Sequence, residues 1–140
     1  MTNCVFCKII EGELPSAQVY EDDDVLVFLD IAPVNKGHCL VVPKEHYIDA
    51  LDTPPDVMAK VIQVAQKVGD ALIKGVGAEG FNIGMNNKKA AGQVVFHLHV
   101  HVIPRFTKDG LQLWPGKSYQ EGELETIKKK LITCKSAISD

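Results

Sequence analysis

The sequence has no surplus of positive charge: fifteen Lys and Arg stand against eighteen Asp and Glu, a formal net charge of -3. A chain balanced this way exerts no general pull on nucleic-acid phosphates or on an anionic membrane. It has no uncharged apolar run of bilayer-spanning length. Its opening residues, Met1-Thr2-Asn3-Cys4-Val5-Phe6-Cys7-Lys8, lack the basic and then apolar stretches of a secretion signal. A cytoplasmic protein is expected, with neither membrane nor nucleic acid as partner. Only four cysteines occur, Cys4, Cys7, Cys39 and Cys134, and in that compartment they form no stable disulfide framework. No repeat, low-complexity tract or linker interrupts the chain. At 140 residues it can bury most of its unfolded surface without covalent staples. One domain over residues 1–140 is expected, with a core over about 3–116 and a helical C-terminal extension over about 117–140.

What is present is a mixed pattern of periods. Asn3 reads as the cap of a short helix over Cys4–Ile10, ended by Gly12 and Pro15. Gln18–Tyr20 and Val25–Leu29 flank an acidic turn, as in a hairpin. Residues 30–37, with Pro33, Asn35 and Gly37, read as a loop, and Cys39–Pro43 as a buried strand. Thr53-Pro54-Pro55-Asp56 predicts a helix start with a capping hydroxyl. Val57, Val61, Ala65, Val68 and Leu72 then recur at helical spacing until Gly75 and Gly77. Gly80–Met85 is strand-like, Asn86–Gly92 a polar turn, and Val94–Ile103 the strongest strand pattern, closed by Pro104. Leu124, Ile127 and Leu131 mark a terminal helix. The Lys128-Lys129-Lys130 run on it reads as a solvated face. Strands and helices do not alternate strictly, so the fold class is α+β: an antiparallel sheet of about five strands, one long helix and a C-terminal helix.

The segment richest in chemistry is His97-Leu98-His99-Val100-His101-Val102-Ile103. On a strand, side chains alternate, so the three imidazoles face one way while Leu98, Val100 and Val102 face a core. Three roles fit such a strand: a polar sheet face, a metal site with His97, His99 and His101 as ligands, or a reactive site in which one histidine is nucleophile and another moves protons. Periodicity does not choose between the last two. A second cluster, Cys4-x-x-Cys7, has zinc-knuckle spacing. Two reduced thiols near a chain end, or a redox pair, are its alternatives.

The pattern His-φ-His-φ-His-φ-φ, with φ apolar, resembles the signature of the histidine triad family. Further segments match in family order: Phe6–Pro15 (FCKIIEGELP), Phe28–Ile31 (FLDI), Gly37–Lys44 (GHCLVVPK) and Ala91-Gly92-Gln93. They look most like the Hint-like and bacterial branch. The resemblance implies that His99 attacks the α-phosphorus of a nucleotide conjugate, that His101 contacts the phosphate and supports proton delivery, and that His38 lies beside the triad. It implies a ribose contact from Asp30, a base pocket of Phe6, Ile9, Phe28, Leu29 and Ile31, and Asn86 and Gln93 beside the phosphate. Trp114, in Trp114-Pro115-Gly116, resembles a residue that reaches the partner's site in a homodimer. Val94 departs from the family pattern, which places a serine or threonine hydroxyl there. The bacterial pattern also implies a structural zinc held by Cys4, Cys7, His46 and His97, with no cofactor in catalysis.

The expected function is a nucleotide hydrolase acting at the α-phosphate of nucleoside phosphoramidates or related purine nucleotide conjugates, with an AMP-like product. A dinucleoside polyphosphate hydrolase is the alternative within the class. A nucleotide-binding regulatory module with incidental turnover is the alternative outside it.

Overall fold

The computed structural model describes residues 3–134 and 136–139. The chain divides into two compact units, one up to Asp109 and one from Gly110 onward. The first unit carries the sheet. Strands β1 (Gln18–Glu21), β2 (Val25–Leu29), β3 (Cys39–Pro43), β4 (Gly80–Gly84) and β5 (Val100–Arg105) form one antiparallel sheet in the order β1-β2-β3-β5-β4. The β1–β2 turn is built by Asp22, whose carboxylate accepts from the amides of Asp24 at 2.9 Å and Val25 at 2.8 Å.

Both faces of the central strands are covered, which is why β2 and β3 read as continuous apolar runs rather than alternations. Val25, Val27, Cys39, Val41, Val100 and Val102 face helix α2 (Pro55–Val76), which returns Val61, Val64, Ala65, Val68 and Leu72 to them. Leu26, Phe28, Leu40 and Val42 face the other way and meet Phe6 of helix α1 (Val5–Ile10). The functional side chains gather on this second, thinner layer. The second unit holds helices α3 (Glu123–Thr133) and α4 (Ser136–Ser139). Lys128, Lys129 and Lys130 on α3 are exposed, with the Lys128 ammonium 3.6 Å from Glu125. Among the described residues no helix is long and apolar enough to cross a membrane.

Several expected boundaries move. The cap of α1 is Cys4, not Asn3, and its Sγ accepts from the Cys7 amide at 3.4 Å. The Thr53 hydroxyl does not cap α2. It donates to the Asp49 carbonyl at 2.8 Å, and Pro54 occupies the cap position without a side-chain bond. Gly75 lies inside α2; Gly77, at φ 73°, ends it in the left-handed conformation that glycine adopts without strain. The strand predicted over Val94–Ile103 shrinks and shifts to Val100–Arg105. Pro104 is tolerated within it because β3 pairing already stops at Cys39↔Val102, leaving no ladder on that flank for the missing amide to join.

Candidate active site and metal centre

Before Val100 the chain leaves the ladder. The Leu98 amide donates to the Tyr47 carbonyl at 2.6 Å, and the His97 carbonyl turns to a side chain: it accepts from His99 Nδ1 at 2.7 Å. Since a carbonyl only accepts, Nδ1 carries the proton and the lone pair of His99 is on Nε2. The histidine face is covered. His97 is 0% and His99 8% exposed, and the Phe6 ring stands edge-on to His99 with centroids 5.1 Å apart. Burial lowers the pKa of His99, against the opposing pull of the His97 carbonyl and the Asp30 charge. The imidazole is therefore neutral near pH 7, with a nucleophilic nitrogen.

Two further imidazoles form a directed chain. His101, opposite Leu40 in the β3–β5 register, shares a 2.9 Å bond between its Nδ1 and His38 Nε2. The Val34 amide donates to His38 Nδ1 at 3.1 Å, so the neutral His38 carries its proton on Nε2 and donates it to His101 Nδ1. That leaves the His101 proton on Nε2, which is buried and has no hydrogen-bond partner among the described residues. A buried donor without an acceptor is costly, and an incoming phosphate or leaving group would satisfy it. Asp30 Oδ2 lies 3.7 Å from His38 Nε2. Burial pushes the His101 pKa down to about 4, with His99 and His38 adding to the shift and Asp30 opposing it. Burial also lowers that of His38.

These shifts have a stability consequence. Both groups are harder to protonate folded than unfolded, so their contribution is complete above the ordinary imidazole pKa of 6.5 and is lost as pH falls below it, for His101 over the range from there toward about 4. For His101 alone the full loss, discounted for solvent screening, is on the order of 1–2 kcal/mol. Urea unfolding at pH 7 and pH 5 is expected to give a lower stability at pH 5, and the decline is expected to be shallower in His101→Gln. An equal decline in both would remove His101 as its source.

A cavity of about 620 Å³ opens beside the imidazoles. Its apolar wall includes Phe6, Ile9, Phe28, Leu29 and Ile31, with Asp30, Asn86, His99 and His101 as polar groups. The sequence-predicted pocket residues are thus brought to one place. Asp30 has two tasks: Oδ1 accepts from the Ala32 amide at 2.9 Å, which shapes the loop, and Oδ2 is left beside the cavity. Gln93 differs from expectation. Its Oε1 accepts from the Lys88 amide at 2.8 Å, while Nε2 donates to the carbonyls of Ile48 and Val95 at 2.6 and 3.1 Å. The side chain is a brace for the 86–93 turn rather than a free phosphate ligand. Val94 lines the cavity and is 85% exposed. Trp114 belongs to the second unit and is 89% exposed.

Cys4, Cys7, His46 and His97 converge beside this cavity, their ligand atoms all within 4.8 Å of one another. Cys7 Sγ lies 3.3 Å from His46 Nδ1 and 3.6 Å from His97 Nδ1, Cys4 Sγ lies 3.5 Å from His97 Nδ1, and the two Nδ1 atoms are 3.1 Å apart. His97 Nε2 donates to the Pro43 carbonyl at 2.8 Å, which fixes the tautomer with its lone pair toward the other three donors. Burial, with Cys4 adding to it, pushes the Cys7 thiol up to about 11. A closed set of two sulfurs and two imidazole nitrogens fits a tetrahedral, structural zinc with no position for water.

Asp30, His38 and His101 also lie close enough together to hold a cation. The Val34 amide argues against it, because it keeps the His38 proton on the nitrogen a metal would need. A metal site of His97, His99 and His101 is overturned as well. His97 turns its Nδ1 to the cysteines, His101 its Nδ1 to His38, and the His99 Nδ1 proton is held by a carbonyl.

Some site features left no trace in the sequence reading. Val5, Leu14 and Leu40 line the cavity without a polar mark to single them out. The backbone amide that orients His38 belongs to Val34, and a backbone donor has no residue-type signature. Asn35 reads as a turn former in the sequence, although its side chain reaches β5.

The HIT domain model matches residues 11–108. The chain is 42% identical to an adenylylsulfatase of Arabidopsis thaliana, over 94% of this chain and 67% of that relative. It is 35% identical to an adenosine 5'-monophosphoramidase of Schizosaccharomyces pombe, over 92% and 96% of the two chains. Among solved structures, a protein of Streptococcus mutans UA159 superposes with a TM-score of 0.90 at 40% identity, covering 99% of this chain and 87% of that one. A zinc-bound histidine triad protein of Mycobacterium smegmatis superposes with a TM-score of 0.77 at 40% identity, covering 97% and 98%. The antiparallel sheet with its imidazole cluster is therefore the HIT fold. The chain belongs to the HIT domain family.

Proposed function

We propose that this protein is a nucleotide hydrolase acting at the α-phosphate of nucleoside phosphoramidates or related purine nucleotide conjugates, through a nucleotidyl-His99 intermediate. The 2.7 Å bond between His99 Nδ1 and the His97 carbonyl carries this reading. It holds the nucleophilic lone pair on the outer nitrogen, at a cavity with room for a nucleoside. Relatives named adenylylsulfatase and adenosine 5'-monophosphoramidase support an adenylate as the nucleotide.

In this mechanism the base enters the apolar wall and Asp30 Oδ2 accepts from a ribose hydroxyl. His99 Nε2 attacks the α-phosphorus. The bond from phosphorus to the leaving group breaks with its electron pair on the leaving atom, and an amine there takes the His101 Nε2 proton from a His38–His101 pair that has taken up one further proton as the anionic phosphate binds, so that both imidazoles end neutral. His38 then restores a proton to His101 Nδ1. In the second half water attacks the same phosphorus, the phosphorus–Nε2 bond breaks, the water proton returns to the imidazole pair, and the nucleoside monophosphate leaves. The Cys4, Cys7, His46 and His97 set would hold a structural zinc that pins α1, and with it Phe6, against His99.

The test of the assignment is turnover of adenosine 5'-phosphoramidate with AMP as product; a purified wild-type protein that releases no AMP from it refutes the assignment. Val94 bears on the leaving group. Val94→Ser adds a donor at the cavity, and one hydrogen bond made in the transition state is worth roughly 1 kcal/mol, or about fivefold in rate. The gain is expected with phosphoramidates; an unchanged rate would mean that the hydroxyl has no acceptor there. A homodimer is also proposed, with Trp114 serving the partner's site. Sedimentation at micromolar concentration should give twice the chain mass, and a fully active monomer would contradict it.

A further inference from the structure

We infer that Asn35, held by Asp109, is a positioning residue that keeps His38 aimed at His101 and so sets proton delivery to the leaving group. This rests on the proposed role of His101 as proton donor. His38 sits just before β3, one residue ahead of Cys39, the first position paired to both β2 and β5. The sheet ladder therefore does not fix it. Two backbone bonds do: the His38 amide donates to the Asn35 carbonyl at 3.0 Å, and the His38 carbonyl accepts from the Asp30 amide at 2.9 Å. The Val34 amide that sets the His38 tautomer belongs to the residue just before Asn35.

The Asn35 side chain ties this loop to the strand that carries His101. Its Nδ2 donates to the Pro104 carbonyl at 2.8 Å and to Asp109 Oδ2 at 3.1 Å. Asp109 is itself clamped: its carboxylate accepts from Arg105 Nε at 2.8 Å and from the Phe106 amide at 3.1 Å. Arg105 in turn reaches Asn82 of β4 at 2.8 Å. Gly37 closes the loop at φ 106°, and a Cβ there would already lie 3.4 Å from both Leu72 and Pro104. Gly37 therefore packs closely against α2 and β5, and Asn35 adds a side-chain anchor on β5 to the His38–His101 bond itself. With the Asn35 anchor removed, the loop backbone whose Val34 amide orients the His38 ring loses this tie to the His101 strand, while His99 keeps its own anchor, since its Nδ1 is held by the His97 carbonyl.

The consequence is selective. Attack by His99 does not need the relay; departure of a basic amine does. Asn35→Ala should slow hydrolysis of an adenosine phosphoramidate of an aliphatic amine by about tenfold or more, part of the 10²–10⁴ available to a general acid. Hydrolysis of the 4-nitrophenyl ester of AMP, whose leaving group departs without a proton, should stay within about twofold. Asp109→Asn keeps the size of the side chain and weakens the clamp, so the same selective loss is expected at smaller amplitude; it carries the test if Asn35→Ala does not fold. Equal losses on both substrates, or no loss on either, would overturn the inference while leaving wild-type turnover and the His99 assignment standing. Wild-type protein that cleaves neither substrate would overturn both.

Discussion

Replacing His99 with Ala is expected to abolish turnover of adenosine phosphoramidate, lowering kcat by about 10⁴-fold or more, as removal of a covalent nucleophile does. The neighbouring imidazoles cannot take over. His97 has its Nε2 on Pro43 and its Nδ1 beside the cysteines, and the His101 Nδ1 is engaged with His38. The fold should survive at a price in stability. His99 is buried and touches Phe6, so truncation leaves a cavity, and a loss of about 2–3 kcal/mol is expected. His99→Gln fills more of that space and should melt closer to wild type while remaining inactive. Affinity for AMP should change little in either variant, because Asp30 and the apolar wall are untouched. A His99→Ala protein with wild-type kcat would end the nucleophile assignment.

The second large effect concerns the metal centre. Protein purified without chelator is expected to contain one zinc per chain, and Cys4→Ser combined with Cys7→Ser to contain none. A ligand at a thousandfold excess over its dissociation constant stabilises by about 4 kcal/mol, which in a chain of this size corresponds to a Tm loss of about 10 °C. Catalysis should fall by much less than in His99→Ala, because the centre acts on the triad only through α1 and the His97 backbone. Zinc retained by the double variant would place its ligands elsewhere. Wild-type protein with no zinc would remove the metal centre from the account.

How much of this was legible in the sequence depends on whether a signal is local. The runs VLVFL and CLVVP gave β2 and β3 with their boundaries because both faces are buried. The period of α2 is equally clear, yet the expected Thr53 cap does not form. Thr53 stands one residue too early, before Pro54, so its hydroxyl turns back to Asp49. The triad segment alternates perfectly and reads as strand throughout, but His97 and His99 cannot be in the ladder, because the His97 carbonyl is needed by the His99 ring. The histidine pattern therefore located the imidazole cluster while misstating the backbone that carries it. Cys4-x-x-Cys7 gave half of the candidate metal cluster from spacing. His46 and His97 lie 39 and 90 positions from Cys7, beyond any local pattern, and entered only through family resemblance. The direction of the His38–His101 pair was not legible at all, since a backbone amide sets it.

The central claim is the covalent intermediate, and mass spectrometry of a rapidly quenched mixture of protein and adenosine 5'-phosphoramidate tests it most directly. The account predicts protein carrying one adenylyl group, located on His99 by peptide mapping under conditions that spare phosphorus–nitrogen bonds, and no such species in His99→Ala. AMP released at full rate with no adduct at any quench time, or an adduct that persists in His99→Ala, would contradict it.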